Sequence, residues 1–301
     1  MTRPAPREPD GDSNPARAGA GSLYVVATPI GNLGDVTIRA LEVLRAAPLI
    51  AAEDTRIARR LLTRYEIRTR LTSFHAQSGR ARLDTLLEHL RGGADLALVT
   101  DAGTPGVSDP GDELVTGWAA EGGRVVPIPG PSAVLAALAA SAVAGPRWGF
   151  EGFLPRRGRE RRERLSRIAA DDRGVVLFEA PTRLAATLRD LAAACGGERI
   201  AAVCRELTKL HEQIRRGTLA ELVEAVASGE VPARGEVVIV VGPASATELS
   251  RDEAREALAE GRAQVDALVA GGLNRSEAAR RVALATGLSR RSLYGGAKQP
   301  E

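Results

Sequence analysis

From Thr100 to Gly111 the sequence reads Thr-Asp-Ala-Gly-Thr-Pro-Gly-Val-Ser-Asp-Pro-Gly, directly after the apolar run Asp95–Val99. Three glycines, two prolines, two aspartates and the hydroxyls of Thr104 and Ser108 share this stretch. A segment that only reversed the chain would need a glycine and at most a proline. This one joins backbone freedom, fixed φ angles and polar groups at the mouth of a buried strand, where an open α/β sheet binds its ligands.

Four other stretches carry residues of chemical interest. Pro129-Gly130-Pro131-Ser132-Ala133 leads from a predicted strand into a helix. Its small residues would let an anion approach the first free N–H groups of that helix, and a rigid turn with Ser132 as N-cap accounts for the same residues. In Thr28–Asp35, Gly31 and Gly34 stand only three apart behind Pro29. That spacing excludes a G-x-G-x-x-G dinucleotide fingerprint, even with Glu53 or Asp54 as a distant ribose acid, and no GxxxxGK[ST] phosphate loop occurs. A tight turn with Asp35 as N-cap explains this stretch equally well. In Glu53-Asp54-Thr55-Arg56, capping accounts for Asp54 or Thr55 and leaves Glu53 and Arg56 over, which favours a functional role. Arg205-Glu206-Leu207-Thr208-Lys209 mixes charges as a solvated face does. His211 reads as a surface group, and Cys204 as a small apolar core residue.

Seven arginines fall between Arg156 and Arg167, opposed only by Glu160 and Glu163. A salt-bridged helix would alternate its signs more evenly, so the run reads as a positive stripe facing phosphates. With a second basic cluster (Arg275, Arg280, Arg281, Arg290, Arg291 and Lys298) it points to a nucleic-acid partner.

The elements that must position these groups follow a βα rhythm. Strands are expected at Leu23–Ala27, Leu49–Ala52, near Leu71–Phe74, at Asp95–Val99 and at Arg124–Ile128. Between them lie helices over Asp35–Ala46, Asp54–Arg64, Ser78–Arg91 and from Asp112, then an Ala/Leu helix ending near Ala142. Such alternation signals a mostly parallel, helix-covered sheet. After Gly145-Pro146 come an apolar Phe150–Leu154, a basic helix over Arg156–Ala170, and strands at Gly174–Phe178, Ile200–Cys204 and Glu236–Val241, with helices over Thr182–Ala194 and Thr218–Ala227. Beyond Pro243 only helices are expected: Ser250–Ala270 with Ser250 as N-cap, Asn274–Ala285 and Ser289–Ala297. The expected division is a disordered tail (1–21), two α/β domains (22–143 and 144–243) and a basic helical RNA-binding extension (244–301).

The bulk numbers narrow the classes. A hydrophobic content of 44% suffices for ordinary cores, although aromatics make up only 3%. No apolar run reaches the roughly 18–20 residues of a membrane span; the longest candidate is Val134–Gly145. Met1–Gly21 lacks the apolar stretch of a secretory signal. Two cysteines without a CxxC pair and three histidines argue against structural zinc and a disulfide framework. A cytoplasmic location is expected.

Taken in order, LYVVATPIGNLGDVTIRAL from Leu23, AAEDTR from Ala51, TDAGTPGVSDPG from Thr100, VPIPGPSAV from Val126, FEGFLPRRG from Phe150 and RELTKLHE from Arg205 closely resemble the bacterial 16S ribosomal RNA cytidine 2′-O-methyltransferases. These belong to the tetrapyrrole methylase-like superfamily of S-adenosylmethionine enzymes. The resemblance runs from Leu23 to Pro243, and the basic C-terminal helices match more loosely. Thr100 stands where family members often have serine, which keeps the hydroxyl.

The resemblance implies a two-domain α/β fold with the cofactor in the cleft between domains, a homodimer, and 16S rRNA in the small ribosomal subunit as partner. Carried residue by residue, it assigns S-adenosylmethionine to Asp101, Ala102, Gly103, Thr104, Pro105, Ser108 and Asp109, to Ser132 and Ala133, and to Leu177, Phe178, Glu179, Leu207, Val238 and Ile239. The RNA would lie over Pro29, Gly31, Asn32, Arg56, Arg156 and Arg157. A ribose hydroxyl is a poor nucleophile and benefits from a base; Glu53, Asp54 and Glu206 are the candidates, with Lys209 as electrostatic partner. No metal is implied. The rivals are a tetrapyrrole methyltransferase of the same fold, which would not need two arginine-rich patches, and a non-enzymatic RNA-binding protein, which would not need the Gly/Pro loops.

Overall fold

The computed structural model describes residues 19–244 and 251–294. Residues 1–18 of the expected tail, the expected cap Ser250 and the expected helix beyond Tyr294 lie outside the described residues. Residues 19–244 form one compact unit and residues 251–294 a second.

The first unit opens with a five-stranded sheet: β1 (Ser22–Val26), β2 (Leu49–Ala52), β3 (Arg70–Ser73), β4 (Leu96–Val99) and β5 (Arg124–Ile128). The strands run parallel in the order β3-β2-β4-β1-β5. Parallel neighbours require crossovers, usually helical, and α1 (Ile38–Ala46), α2 (Thr55–Arg64), α3 (Arg80–Arg91) and α4 (Asp112–Ala120) supply them. Side chains alternate along β4. Ala97 and Val99 pack with Leu44, Leu61 and Leu62 of α1 and α2, and Leu96 and Leu98 with Leu86, Leu90, Leu114 and Trp118 of α3 and α4. The chain therefore leaves β1 for one face of the sheet and leaves the adjacent β4 for the other. This divergence opens a crevice at the carboxyl ends of the two strands, the position where doubly wound sheets hold ligands.

From β5 the chain enters α5 (Ala133–Ser141) and then a second sheet: β6 (Trp148–Phe153), β7 (Gly174–Glu179), β8 (Ile200–Arg205), β9 (Gln213–Thr218) and β10 (Val237–Val241). Its order is β6-β7-β10-β8-β9. Only β6 and β7 pair parallel; the other pairs are antiparallel. One face carries α6 (Arg159–Ala170), α7 (Leu184–Cys195) and α8 (Leu219–Ala227) over Val175, Leu177, Val203 and Ile239. The other face, with Val176, Ala202, Cys204 and Val238, receives Val134 and Ala137 of α5 and Ile30 from the loop after β1. In this way α5 fastens the second sheet against the crevice of the first.

Three expectations are corrected. Asp35 does not cap α1: Leu33–Asp35 forms a short 3-10 turn capped by Asn32, and Thr37 caps the helix by accepting from Ala40 N at 3.1 Å. The basic helix starts at Arg159 rather than Arg156, because Gly158 at φ +98° interrupts the chain before it. β9 was not anticipated, since Gln-Ile-Arg-Arg-Gly-Thr lacks an apolar alternation; it is an edge strand held by β8 alone.

The second unit contains α9 (Arg251–Ala270), α10 (Arg275–Thr286) and α11 (Arg290–Tyr294) around Val265, Ala278, Ala279, Val282 and Leu293. Asn274 caps α10, and Gly287 at φ +73° ends it. No helix among the described residues is long and apolar enough to cross a membrane.

Candidate active site

Backbone and side-chain hydrogen bonds fix the loops at the crevice to one another. Thr28 after β1 and Gly103 after β4 exchange both backbone hydrogen bonds, at 2.8 and 3.0 Å, and the Thr28 hydroxyl donates to Thr100 O at 3.1 Å. Gly103 is at φ +81°, a conformation that glycine adopts without penalty. Between β2 and β4 the bonding is reciprocal. Asp54 N donates to the Asp101 carboxylate at 3.0 Å, and Asp101 N donates to Glu53 at 3.3 Å. Ser132 caps α5, accepting from Leu135 N at 3.4 Å.

These loops and the second sheet enclose a cleft of about 410 Å³. That volume lies within the range of small-molecule sites, and apolar walls with a few placed polar groups are usual there. The first sheet contributes Ala102, Gly103, Thr104, Ser108 and Asp109 after β4, and Ser132 and Ala133 after β5. The second sheet contributes Phe178, Glu179, Leu207 and Val238. These eleven stand where the sequence places cofactor contacts.

Four expected cofactor residues do not line the cleft. Leu177 and Ile239 alternate with Phe178 and Val238, so they turn toward α6–α8. The Asp101 carboxylate is engaged by the Asp54 amide, and Pro105 is buried beside Gly111. Conversely, Ile30, Phe153, Cys204 and the Gly235–Val237 segment line the cleft unanticipated. Phe153 had a usable signal: it ends β6 two residues before the Pro-Arg-Arg-Gly motif. Phe150 and Phe153 both meet the Phe178 ring, at 4.9 and 5.6 Å between centroids.

None of the four candidate catalytic groups lines the cleft. Asp54 caps α2 and forms an ion pair with Arg56 at 2.6 Å; the Arg56 hydrogen bonds hold its carboxyl down at about 2. Glu53 lies behind the cleft wall, and burial pushes its carboxyl up. Glu206 accepts from Lys209 Nζ at 2.9 Å and from Glu236 N at 2.8 Å. Lys209 also pairs with Glu236 at 3.1 Å. A Cβ on Gly31 would lie 2.5 Å from Lys209 Cγ, so the lysine stem crosses Gly31 and ties the first-sheet loop to the loop after β8. Lys209 here is a strap.

The carboxylates around the crevice behave differently from these paired ones. Burial, then repulsion by Glu53 and Asp101, pushes Asp109 up to about 6, with the Thr100 hydroxyl opposing. Glu179 is buried, and its oxygens accept from Thr187 Oγ1 at 2.6 Å and Ala180 N at 2.7 Å and pair with Arg183 at 3.1 Å. Burial raises the Cys204 thiol to about 11.

Of the expected RNA contacts, Pro29 is buried, whereas Gly31, Asn32, Arg56, Arg156 and Arg157 are exposed. The arginine stripe divides into two rows. Arg161 is buried on Asp190, Thr187 and Pro155 O, and Arg164 is committed to Glu151 and Phe153 O. Arg156, Arg157, Arg162 and Arg167 are exposed and have no ion pair among the described residues.

A match to the family of tetrapyrrole (corrin/porphyrin) methylases covers residues 22–223. The chain belongs to that family. It is 47% identical over 281 residues to a Synechocystis protein named ribosomal RNA small subunit methyltransferase I, covering 91% of this chain and 96% of that one. A Mesorhizobium japonicum protein of the same name is 46% identical over 283 residues, covering 93% and 92%. The fold recurs in a uroporphyrin-III C-methyltransferase from Thermus thermophilus solved with S-adenosylhomocysteine: TM-score 0.54, 20% identity, covering 74% of this chain and 97% of that one. For this methylase family member, the cleft between the sheets is thus the candidate active site.

Proposed function

We propose that this protein transfers a methyl group from S-adenosylmethionine to RNA of the small ribosomal subunit, at the 2′-hydroxyl of a cytidine in the decoding region of 16S rRNA. The observation that carries the reading is a juxtaposition within one chain segment. Phe153 lines the cleft, and Arg156 and Arg157 follow three and four residues later, exposed and without a carboxylate partner among the described residues. Four residues span at most about 14 Å, so these cations stand at the cleft where an RNA backbone would pass. The near full-length likeness to small-subunit rRNA methyltransferases supports the same substrate.

The cleft fits the cofactor in kind. Its wall is apolar at Ala133, Leu207, Val238 and Phe178, polar at Thr104, Ser108 and Ser132, and carries carboxylates at Asp109 and Glu179. These residues would hold S-adenosylmethionine, which supplies a methyl group on positively charged sulfur. Alignment is the main task of such a site and supplies on the order of 7–11 kcal/mol. The reciprocal Thr28–Gly103 and Asp54–Asp101 bonds keep the walls in place for it. A homodimer and a cytoplasmic location belong to this proposal.

Labelled S-adenosylmethionine, offered with assembled small subunits, naked 16S RNA and a tetrapyrrole, tests the reading. Label is expected in one cytidine ribose. Label in the macrocycle alone would overturn it. The arginines add a second expectation: the double variant Arg156→Ala/Arg157→Ala should weaken RNA binding at low salt. If each contacts a phosphate, the slope of log K against log salt should fall by about 1.4–1.8, with unchanged thermal stability and cofactor affinity. Filter binding across a salt series reads it.

A further inference from the structure

None of the sequence-derived candidates for a base lines the cleft, although its wall carries carboxylates. Three carboxylates line it: Asp109, Glu179 and Glu236. Glu179 already receives the Thr187 hydroxyl and the Ala180 amide and pairs with the Arg183 guanidinium, so its oxygens are committed. Glu236 is neutralised by Lys209 and is 70% exposed. Asp109 alone has no cation partner among the described residues. The one thiol in the wall, Cys204, stays protonated near neutrality.

We propose that Asp109 is the proton acceptor for the substrate hydroxyl, a role that rests on the methyl-transfer reading above. As the hydroxyl oxygen bonds to the methyl carbon, the methyl–sulfur bond breaks and leaves its electron pair on sulfur, which becomes neutral. The O–H proton passes to the Asp109 carboxylate and is later lost to water. Glu53 at the end of β2, and Asp101 and Thr100 at the end of β4, are the groups that act on Asp109. Asp54, Arg56 and His75 act in turn on Asp101 or Glu53. Burial raises the basicity of Asp109 most, and the negative charges of Glu53 and Asp101 add to it, toward working pH, where general bases are most effective. Glu53 is a positioning residue in this scheme, and its negative charge is what it contributes.

The test combines kinetics with two readouts independent of turnover. Asp109→Asn should lower the single-turnover rate on small subunits about 10²–10⁴-fold. Calorimetry with S-adenosylhomocysteine reads the loss of any cofactor contact that Asp109 makes, and the rate is taken at saturating S-adenosylmethionine so that such a loss does not enter it. The wild-type rate should fall tenfold per pH unit below about 6. Glu53→Gln, which removes a like charge, should move that limb to lower pH and lower the Asp109 carboxyl titration seen by carbon NMR. Asp109→Glu should restore part of the rate lost in Asp109→Asn. A wild-type protein that methylates no RNA overturns the functional reading. Wild-type activity with full activity in Asp109→Asn, or with an Asp109 titration that Glu53→Gln does not move, overturns the assignment of Asp109 alone.

Discussion

Gly103→Val is expected to weaken S-adenosylmethionine binding by about ten- to thirtyfold, while Gly122→Val leaves it unchanged. Both glycines have positive φ, +81° and +74°. A left-handed conformation costs an L residue roughly 1–2 kcal/mol, at the upper end for a β-branched side chain. At about 1.4 kcal/mol per factor of ten, that strain becomes a ten- to thirtyfold change wherever it must be met for the ligand to bind. Space is not the difference. A Cβ on Gly103 would make only ordinary contact with Ile30 Cγ2 at 3.6 Å, and one on Gly122 would meet nothing within 4 Å. The difference is place. Gly103 exchanges two backbone hydrogen bonds with Thr28 and lines the cleft, whereas Gly122 lies in the turn between α4 and β5. Calorimetric titration with S-adenosylhomocysteine, beside thermal melts, separates the two. Equal losses of stability with equal affinities would mean the Gly103 loop does not form the binding wall.

The same contrast explains why the glycine- and proline-rich loops were legible in the sequence. Positive φ and a close backbone bridge leave a compositional trace, because few residues other than glycine tolerate them. The parallel sheet was legible for a related reason: β2 and β4 are short, fully apolar runs bracketed by helical periodicity. That property hid the side-chain parity of the second sheet. β7 and β10 are apolar on both faces, so nothing in Gly-Val-Val-Leu-Phe-Glu or Val-Val-Ile-Val-Val announces that Phe178 and Val238 face the cleft while Leu177 and Ile239 face helices. The strap was hidden too. Glu206 and Thr208 adopt positive φ as non-glycine residues, and sequence propensity does not signal that. The catalytic candidates lie in local clusters, and Glu53, Asp54 and Glu206 find their partners within or between loops, whereas Asp109 has no cation partner among the described residues. That lack of a cation is a property of the assembled wall and not of any motif.

The division of the arginine run yields the second large effect. Arg161→Met should lower the unfolding free energy by about 2–3 kcal/mol. Removing one partner of a buried ion pair costs about 3–5 kcal/mol when the remaining charge stays buried. Here the arginine side chain is 9% exposed but Asp190 is 46% exposed, so the abandoned carboxylate recovers water and the cost falls below that range. Pro155 O and the Thr187 hydroxyl each lose a donor as well. Thr187 still donates to Glu179, so the cleft loosens without losing its carboxylate, and cofactor affinity should drop by no more than about threefold. The salt dependence of RNA binding should not change, because a guanidinium committed to Asp190 releases no counterions when a phosphate arrives. Urea denaturation and a salt series on the same preparation give both readings. Arg156→Ala/Arg157→Ala should show the mirror image, a shallower salt slope at unchanged stability. If Arg161→Met behaved that way instead, the helix would have no inner row, and the stripe first read from the sequence would be correct along its whole length.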